Sequence, residues 1–168
     1  EITNNEGCEP LSVGFKNTSK DVFQHYLNYD DGTPLDSTFD KHVFLINNGA
    51  TFQEYTPRMY AVDSLGCKAI FESPLKVIVK QNPKANFIIS DSIICENGTI
   101  TFTDLSVAIT NSTFYLNKMG VYRTQLSNNL ININNSGDYQ LTQIVENAND
   151  CFDSLITNIK VNPNPKAN

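Results

Sequence analysis

Residue types on which catalytic and binding sites commonly depend are scarce in this chain. Its 168 residues include no tryptophan, and His25 and His42 are the two histidines. Tryptophan supplies the largest aromatic face for contact with a ligand such as a sugar. A Ser/His/Asp triad needs a histidine that a third group orients. We therefore expect neither a sugar-stacking platform nor an enzyme.

Positive charge and long apolar runs are scarce as well. The chain carries 12 Lys and Arg against 18 Asp and Glu, a net charge of −6, and the basic residues form no run. Nucleic acids and anionic membranes attract clustered basic residues. A membrane-spanning helix needs about 20 apolar residues in succession. The sequence predicts no nucleic-acid partner and no membrane insertion.

What the chain does contain is an internal repeat. Residues 8–19, which read Cys-Glu-Pro-Leu-Ser-Val-Gly-Phe-Lys-Asn-Thr-Ser, return in related form 87 positions later as residues 95–106. Two further pairs of segments keep the same order: 63–67 with 147–151, and 82–86 with 164–168. A repeat of this period predicts two similar units, which we place at residues 1–82 and 83–168.

The second unit opens on the motif Asn-Pro-Lys-Ala-Asn, and the same motif occupies residues 164–168. We therefore expect the chain to end on the start of a third repeat and to be a piece of a longer array. Residues 80–84 form the whole linker, and Pro83 stiffens it. A short, stiff linker predicts that the units are arranged end to end.

Both units are rich in strand-forming residues separated by turns. Leu11, Val13 and Phe15 alternate with polar residues, as in a half-buried strand. The other candidate strands are residues 25–29, 41–46, 51–61 and 69–79 in the first unit, and 85–90, 99–103, 112–116, 121–126, 129–133, 138–146 and 152–161 in the second. About seven short strands in each unit predict an all-β chain of two tandem immunoglobulin-like β-sandwiches.

Three local signals refine this expectation. Asp30-Asp31-Gly32 predicts a turn in which the glycine takes a positive φ. Pro57 predicts a bulge or an edge inside its long strand. Tyr139 resembles the tyrosine corner at the start of strand F, with Leu141 where an antibody domain has its second core cysteine.

Residues 25–32, His-Tyr-Leu-Asn-Tyr-Asp-Asp-Gly, resemble the strand-C signature of the polycystic-kidney-disease (PKD) domain, aromatic-x-Trp-x-Phe-Gly-Asp-Gly, with Leu27 in place of the Trp. Residues 114–119 are the corresponding stretch of the second unit and have lost most of the signature. The Pro-x-Ala-x-Phe opening of residues 83–87 and the cysteines before strands B and G are similar to tandem PKD-like repeats in very large adhesins that gliding bacteria export by type IX secretion.

This resemblance implies an extracellular, cell-surface location and a non-catalytic role as a spacer or stalk segment of an adhesin, in surface adhesion or gliding motility. The partners it implies are neighbouring repeats of the same chain, together with surface polysaccharide or other cell-surface proteins. The alternative is a carbohydrate-binding accessory module of a secreted polysaccharide-degrading enzyme. The absence of tryptophan favours the spacer, because a binding module usually shows a distinct aromatic or acidic site.

Candidate ligand sites are few. Four aspartates are weak candidates for a Ca²⁺ site, because carboxylate oxygens suit a hard cation: Asp30, Asp31, Asp36 and Asp40. They lack the ligand spacing of a calcium loop, and turn geometry alone explains Asp-Gly, so no cofactor is expected. Four aromatic residues are weak candidates for a sugar platform, and core packing is the better interpretation: Tyr26, Tyr29, Phe39 and Phe44.

Asp-Ser followed by a small, aliphatic or Thr residue occurs four times, where composition alone predicts roughly one match. This pattern resembles the O-glycosylation signal of exported proteins in such bacteria, and the alternative is that Asp-Ser is good turn chemistry. The candidate acceptor serines are Ser37, Ser64, Ser92 and Ser154.

The four cysteines do not form a zinc motif and predict disulfides in an oxidising compartment. In an immunoglobulin-like sandwich, the starts of strands B and G lie at opposite ends, about 20 Å apart for a six-residue strand. The Cα atoms of a disulfide are only about 4.4–6.8 Å apart. We therefore predict a bond between the units, Cys8 to Cys151, which leaves Cys67 and Cys95 unpaired in this chain.

Overall fold

A computed structural model of the protein describes residues 1–20, 23–38, 40–46, 50–118 and 122–166. These residues form 17 β-strands and no helix, which confirms the all-β expectation. No helix capable of crossing a membrane is therefore present in this part of the chain. Some residues used in the sequence predictions lie outside the described residues: Phe39, Met119, Val121, Ala167 and Asn168.

The chain divides into two compact units, Glu1–Gln81 and Asn82–Asn168. The strands of the first unit are β1 (Ile2–Thr3), β2 (Glu6–Cys8), β3 (Leu11–Phe15), β4 (Gln24–Asn28), β5 (His42–Phe44), β6 (Phe52–Tyr55), β7 (Arg58–Val62), β8 (Lys68–Glu72) and β9 (Val77–Lys80). They form three sheets, with the orders β1-β3-β5, β2-β9-β6 and β4-β7-β8. Neighbouring strands are antiparallel apart from the parallel pair β2 and β9.

The strands of the second unit are β10 (Phe87–Ile89), β11 (Ile93–Cys95), β12 (Gly98–Asp104), β13 (Asn111–Lys118), β14 (Tyr122–Gln125), β15 (Leu130–Ile133), β16 (Gly137–Glu146) and β17 (Phe152–Asn162). One sheet has the order β10-β12-β15, and the other has the order β11-β17-β16-β13-β14. Strand β11 runs parallel to β17, and the other pairs are antiparallel.

These orders are those of immunoglobulin-like sandwiches. In the second unit, strands A, B and E form one sheet, and strands A′, G, F, C and C′ form the other. The first unit has the same succession with two differences: strand F is split into β6 and β7 and strand G into β8 and β9, and its described residues contain no strand that corresponds to C′. The predicted fold class is thus confirmed for each unit.

Alternation along the strands decides which side chains enter each core. In β3, Leu11, Val13 and Phe15 are buried while Ser12 is exposed, as the two-residue period of a strand requires. The other buried core residues of the first unit are Leu27, Tyr29, Phe44, Tyr55, Val77 and Val79. Those of the second unit are Phe87, Ile100, Phe102, Phe114, Ile131, Ile133, Tyr139, Leu141, Ile159 and Val161. Burying one such side chain contributes about 1.5–3 kcal/mol.

Prolines interrupt two strands of the first unit. The sequence predicts a bulge or an edge at Pro57 inside one strand over residues 51–61. In the structure the strand ends at Tyr55 and resumes at Arg58, so Pro57 separates β6 from β7. The prediction of one continuous strand over residues 69–79 is wrong, because β8 ends at Glu72 and β9 begins at Val77. Pro74 lies in this gap and has no N–H to donate to a ladder.

The tyrosine at the start of strand F is anchored in both units. Tyr139 is buried, and its hydroxyl donates a 2.9 Å hydrogen bond to the Asn135 carbonyl, which confirms the predicted tyrosine corner. Tyr55 occupies the equivalent place 84 positions earlier and donates to the Leu45 carbonyl. A buried hydroxyl with a partner fixes the loop between strands E and F against the core.

Candidate functional site

The cysteine before strand G closes a five-residue turn in the first unit. Asp63 Oδ1 accepts hydrogen bonds of 2.8 Å from the backbone N–H groups of Leu65 and Cys67. The bond from Cys67 is the main cause that lowers the pKa of Asp63. Gly66 has a φ of 83°, a conformation that glycine adopts without steric cost. The turn therefore fixes Cys67 directly before β8.

The second unit builds the same turn from different residues. Asn147 Oδ1 accepts hydrogen bonds from the N–H groups of Asn149 at 3.0 Å and Cys151 at 3.2 Å. Asp150 takes the positive φ, 60°, in place of glycine. Asp and Asn side chains both form such turns, which explains how two dissimilar sequences place their cysteines alike.

The glutamate of each Cys-Glu motif fastens the loop between strands E and F. Glu9 Oε2 accepts a 3.2 Å hydrogen bond from the Ile46 N–H. Glu96 Oε1 accepts a 3.0 Å hydrogen bond from the Ser136 N–H, and hydrogen bonding by Ser136 lowers the pKa of Glu96. Sequence reasoning noticed the repeated motif but missed this role. The signal available was the pairing of Glu with a repeated Cys.

Equivalent cysteines of the two units differ in chemical state. Cys8 ends β2 and Cys95 ends β11, yet Cys8 is disulfide-bonded and Cys95 is a free, exposed thiol. Likewise Cys151 is disulfide-bonded and Cys67 is free and exposed. Disulfides persist in oxidising environments such as the cell exterior.

The four candidate aspartates do not converge on a common point. Asp30 has a φ of 68°, and its Oδ2 accepts a 3.1 Å hydrogen bond from the Thr56 N–H. Asp40 Oδ1 accepts a 2.8 Å hydrogen bond from the Lys41 N–H. Within the described ranges, no group of three or more His, Cys, Asp or Glu side chains is arranged to hold a metal ion.

Asp31 and Asp36 each contact one ring of a stacked pair. The Tyr29 and His42 rings stack with centroids 3.7 Å apart and an interplanar angle of 10°. Asp31 Oδ2 lies 2.6 Å from His42 Nε2, and the Tyr29 hydroxyl donates a 2.5 Å hydrogen bond to Asp36 Oδ2. Both carboxylates therefore interact with groups of the chain itself, which is a structural role.

Hydrogen bonding and burial set the protonation of this cluster. Hydrogen bonds from Tyr29 and Thr38 lower the pKa of Asp36 to about 2. Burial, followed by the hydrogen bond to Asp36, raises the pKa of Tyr29. Burial opposes ionisation of Asp31, but hydrogen bonds from Thr33 help to lower its pKa. Near neutral pH the aspartates are charged and the phenol is protonated, so none is poised for proton transfer.

Two of the aromatic candidates for a sugar platform, Tyr29 and Phe44, belong to the core. Tyr29 is 3% exposed and Phe44 is fully buried, while Tyr26 is half-buried. Because stacking on a sugar needs an open ring face, Tyr29 and Phe44 cannot supply one in this structure. Their packing with Phe15 and Tyr55 accounts for them instead.

All four candidate acceptor serines are exposed: Ser37, Ser64, Ser92 and Ser154. Three of the preceding aspartates cap nearby backbone. Asp36 Oδ1 accepts from the Thr38 N–H and Asp153 Oδ1 accepts from the Ser154 N–H, each at 2.8 Å. Asp63 Oδ1 accepts from the N–H groups of Leu65 and Cys67. The geometry thus suits both turn chemistry and modification.

A buried polar side chain in the second unit was not foreseen. Gln143 is fully buried, and its Nε2 lies within hydrogen-bond distance of Asp104 Oδ1, Ser106 Oγ and Ser112 Oγ, at 2.8, 2.7 and 3.1 Å. The equivalent position of the first unit is Met59, so the network belongs to one unit. It ties strand B to strands C and F.

No known protein family matches the sequence, and no curated protein matches it. Among solved structures, the chain is similar to the fibronectin(III)-like modules of CbhA from Clostridium thermocellum, with 15% identity, a TM-score of 0.40, and 97% of this chain and 95% of that chain covered.

Two other solved structures are also weakly similar to the chain. The FN1-FN3 domains of chicken CNTN1 are 10% identical, with a TM-score of 0.38 and coverage of 95% of this chain and 66% of that chain. The amphioxus IgVJ-C2 molecule is 14% identical, with a TM-score of 0.33 and coverage of 92% and 99%. Similarities this weak assign no function and no partner to the chain.

Proposed function

We propose that this chain is a non-catalytic spacer segment of a large extracellular adhesin, in which PKD-like repeats are arranged end to end and carry load in surface adhesion or gliding motility. The observation that carries the proposal is that both units repeat one frame. Each has the same turn before strand G, the same Cys-Glu corner and the same anchored tyrosine. What repeats is scaffolding, and no candidate ligand site repeats with it.

The cysteines support a load-bearing role. We propose that Cys8 and Cys151 are bonded to each other, so that the disulfide joins the two units. In a longer array, each strand-B cysteine would pair with the strand-G cysteine of the following repeat. Cys67 and Cys95 would then serve neighbouring repeats of the same chain, which are the partners we propose. The disulfide also supports a location at the cell surface.

Single-molecule stretching from the two ends tests the load-bearing proposal. A bond from Cys8 to Cys151 shields residues 9–150 from extension, so the oxidised chain should lengthen little. Addition of reductant should release about 50 nm of extra contour length, at roughly 3.4 Å per residue. Full extension without reductant would contradict the proposal.

A glycan array separates the spacer from the carbohydrate-binding alternative. The spacer predicts no saturable binding to surface polysaccharides, because the aromatic candidates Tyr29 and Phe44 are buried. Binding that is lost on Tyr26→Ala would support the accessory module instead.

We also propose O-glycosylation at the four exposed Asp-Ser serines. Intact-mass analysis of the chain recovered from its natural host tests this proposal.

A further inference from the structure

An open apolar groove lies beside the first strand of the first unit. It has a volume of about 630 Å³. Apolar side chains from five strands line it: Ile2, Phe15, Leu27, Met59 and Phe71. Phe71 is 57% exposed, although it belongs to a concave apolar surface. Sites of this shape and polarity are the usual form of a binding pocket.

Strand registers identify the matching region of the second unit. Ile2 pairs with Phe15, and Ile89 pairs with Phe102. Phe15 and Phe102 are equivalent, because they lie 87 positions apart in the repeated segment. Ile2 therefore corresponds to Ile89, and β1 corresponds to the C-terminal part of β10.

In the second unit, two side chains on the N-terminal side of Ile89 are buried. Ala85 is 9% exposed and Phe87 is 6% exposed. The Phe87 ring meets the Phe114 ring edge-on, with centroids 5.3 Å apart. Asn86 between them is exposed, as the alternation of a strand requires. An alanine and a phenylalanine two residues apart thus fill one side of this core.

The backbone of this segment is also paired. Lys84 forms an antiparallel bridge with Val107, and the Leu105 N–H donates a 2.8 Å hydrogen bond to the Asn86 carbonyl. The counterpart of Leu105 in the first unit is Thr18, by the same offset of 87, and Thr18 lines the groove. The stretch around Thr18, beside the groove, is therefore equivalent to the stretch of the second unit with which residues 84–86 pair.

The floor of the groove corresponds to the partner of Phe87. Leu27 and Phe114 are each the fourth residue in the pairing of strand C with strand F, counted from the F–G turn. Both are core residues, 5% and 7% exposed. Leu27 thus presents to the groove the surface that Phe114 presents to Phe87.

We propose that the groove binds an extended polypeptide segment of the pattern Pro-x-Ala-x-Phe, as in residues 83–87, that continues β1 on its N-terminal side. In the register of the second unit, the phenylalanine lies directly before Glu1 and packs on Leu27, and the alanine lies two residues earlier. The small and aromatic side chains face the groove, and the residue between them faces solvent. This binding surface goes beyond the spacer role and does not depend on it.

The test joins Pro-Lys-Ala-Asn-Phe directly to Glu1 of the full chain. The matched control joins Pro-Lys-Ala-Phe-Asn, which has the same composition but turns the phenylalanine to the other face of the strand. The chain has two methionines, and Met59 lines the groove, so ¹³C-methyl NMR reports on the site directly.

With the in-register extension, we expect a ring-current shift of the Met59 methyl signal and a rise of about 5 °C or more in the unfolding midpoint of the first unit. The control should give neither. In a Phe71→Ser background, which alters an exposed wall of the groove, the rise should shrink to less than half. Equal effects of the two extensions, no effect of either, or a full rise in the Phe71→Ser background would each overturn the proposal.

Discussion

The two units share strands A, A′, B, C, E, F and G but differ in how strands F and G run. In the second unit, β16 and β17 are continuous over 10 and 11 residues. In the first unit, the same strands are broken near Pro57 and Pro74, which stand where the second unit has Leu141 and Asn158. Proline cannot donate to a ladder. Two prolines on neighbouring strands therefore lie where one sheet divides into two. Strand G of the first unit is also two residues longer there, because Phe71 and Val77 correspond to Leu155 and Ile159.

The largest expected effect comes from moving a proline between the units. Leu141 is fully buried and pairs with both Leu116 and Thr157. Leu141→Pro removes a core side chain and a ladder donor together, so we expect a loss of about 4 kcal/mol or more in the free energy of unfolding. Urea denaturation followed by circular dichroism measures it.

The reverse exchange, Pro57→Leu, is the matched control. The first unit is already built around the interruption, so this change should cost less than half as much as Leu141→Pro. If the two exchanges cost the same, proline would not be the cause of the difference between the units.

Equivalent cysteines offer the next comparison. Cys8→Ser removes a disulfide and should lower stability by about 2–5 kcal/mol under non-reducing conditions. Cys95→Ser changes an exposed free thiol and should have an effect within about 0.5 kcal/mol. Thermal unfolding with and without reductant checks both, since the difference between the variants should disappear once the disulfide is reduced.

The anchored tyrosines should behave alike in the two units. Tyr139→Phe and Tyr55→Phe each remove one hydrogen bond from a buried hydroxyl to a backbone carbonyl, so each should cost about 1 kcal/mol. Hydrogen exchange should show faster opening of the loop between strands E and F in the changed unit alone. Opening of both loops in either variant would argue against separate anchors.

The smallest expected effect is the pH dependence that Asp36 contributes to the stability of the first unit. The pKa of Asp36 is about 2 in the folded chain, below the ordinary value near 3.9. This aspartate therefore stabilises the fold above about pH 4 and loses that contribution as the pH falls toward 2. Asp36→Asn should flatten the stability profile between pH 4 and 2. An unchanged profile would show that the Tyr29–Asp36 hydrogen bond contributes nothing.

Much of the fold was predictable because its signals are local. The alternation of Leu11, Val13 and Phe15 marks a half-buried strand by its period alone. Pro57 marks an interruption by its missing donor, and Tyr139 marks a corner by its position before Leu141. Each of these predictions needs only a few neighbouring residues. The structure confirms the strand and the corner, and at Pro57 it shows a full break in place of the predicted bulge or edge.

The failures involve long-range pairing. Strands β2 and β11 have three residues each and exist through parallel pairing with strand G, far along the chain. The family resemblance matched residues 25–32 with a stretch of the second unit that begins at residue 114. The pairing of strand C with strand F instead makes Leu27 equivalent to Phe114, so the predicted match was wrong by two residues. The groove could not be foreseen either, because it depends on the register of β1.

Peptide mapping without reductant tests the central claim, that the repeated cysteines join one unit to the next. After blocking of free thiols and proteolysis, we predict one linked pair, a Cys8 peptide with a Cys151 peptide, and blocked thiols at Cys67 and Cys95. A Cys8 peptide linked to a Cys67 peptide would contradict the claim, since each unit would then be closed on itself.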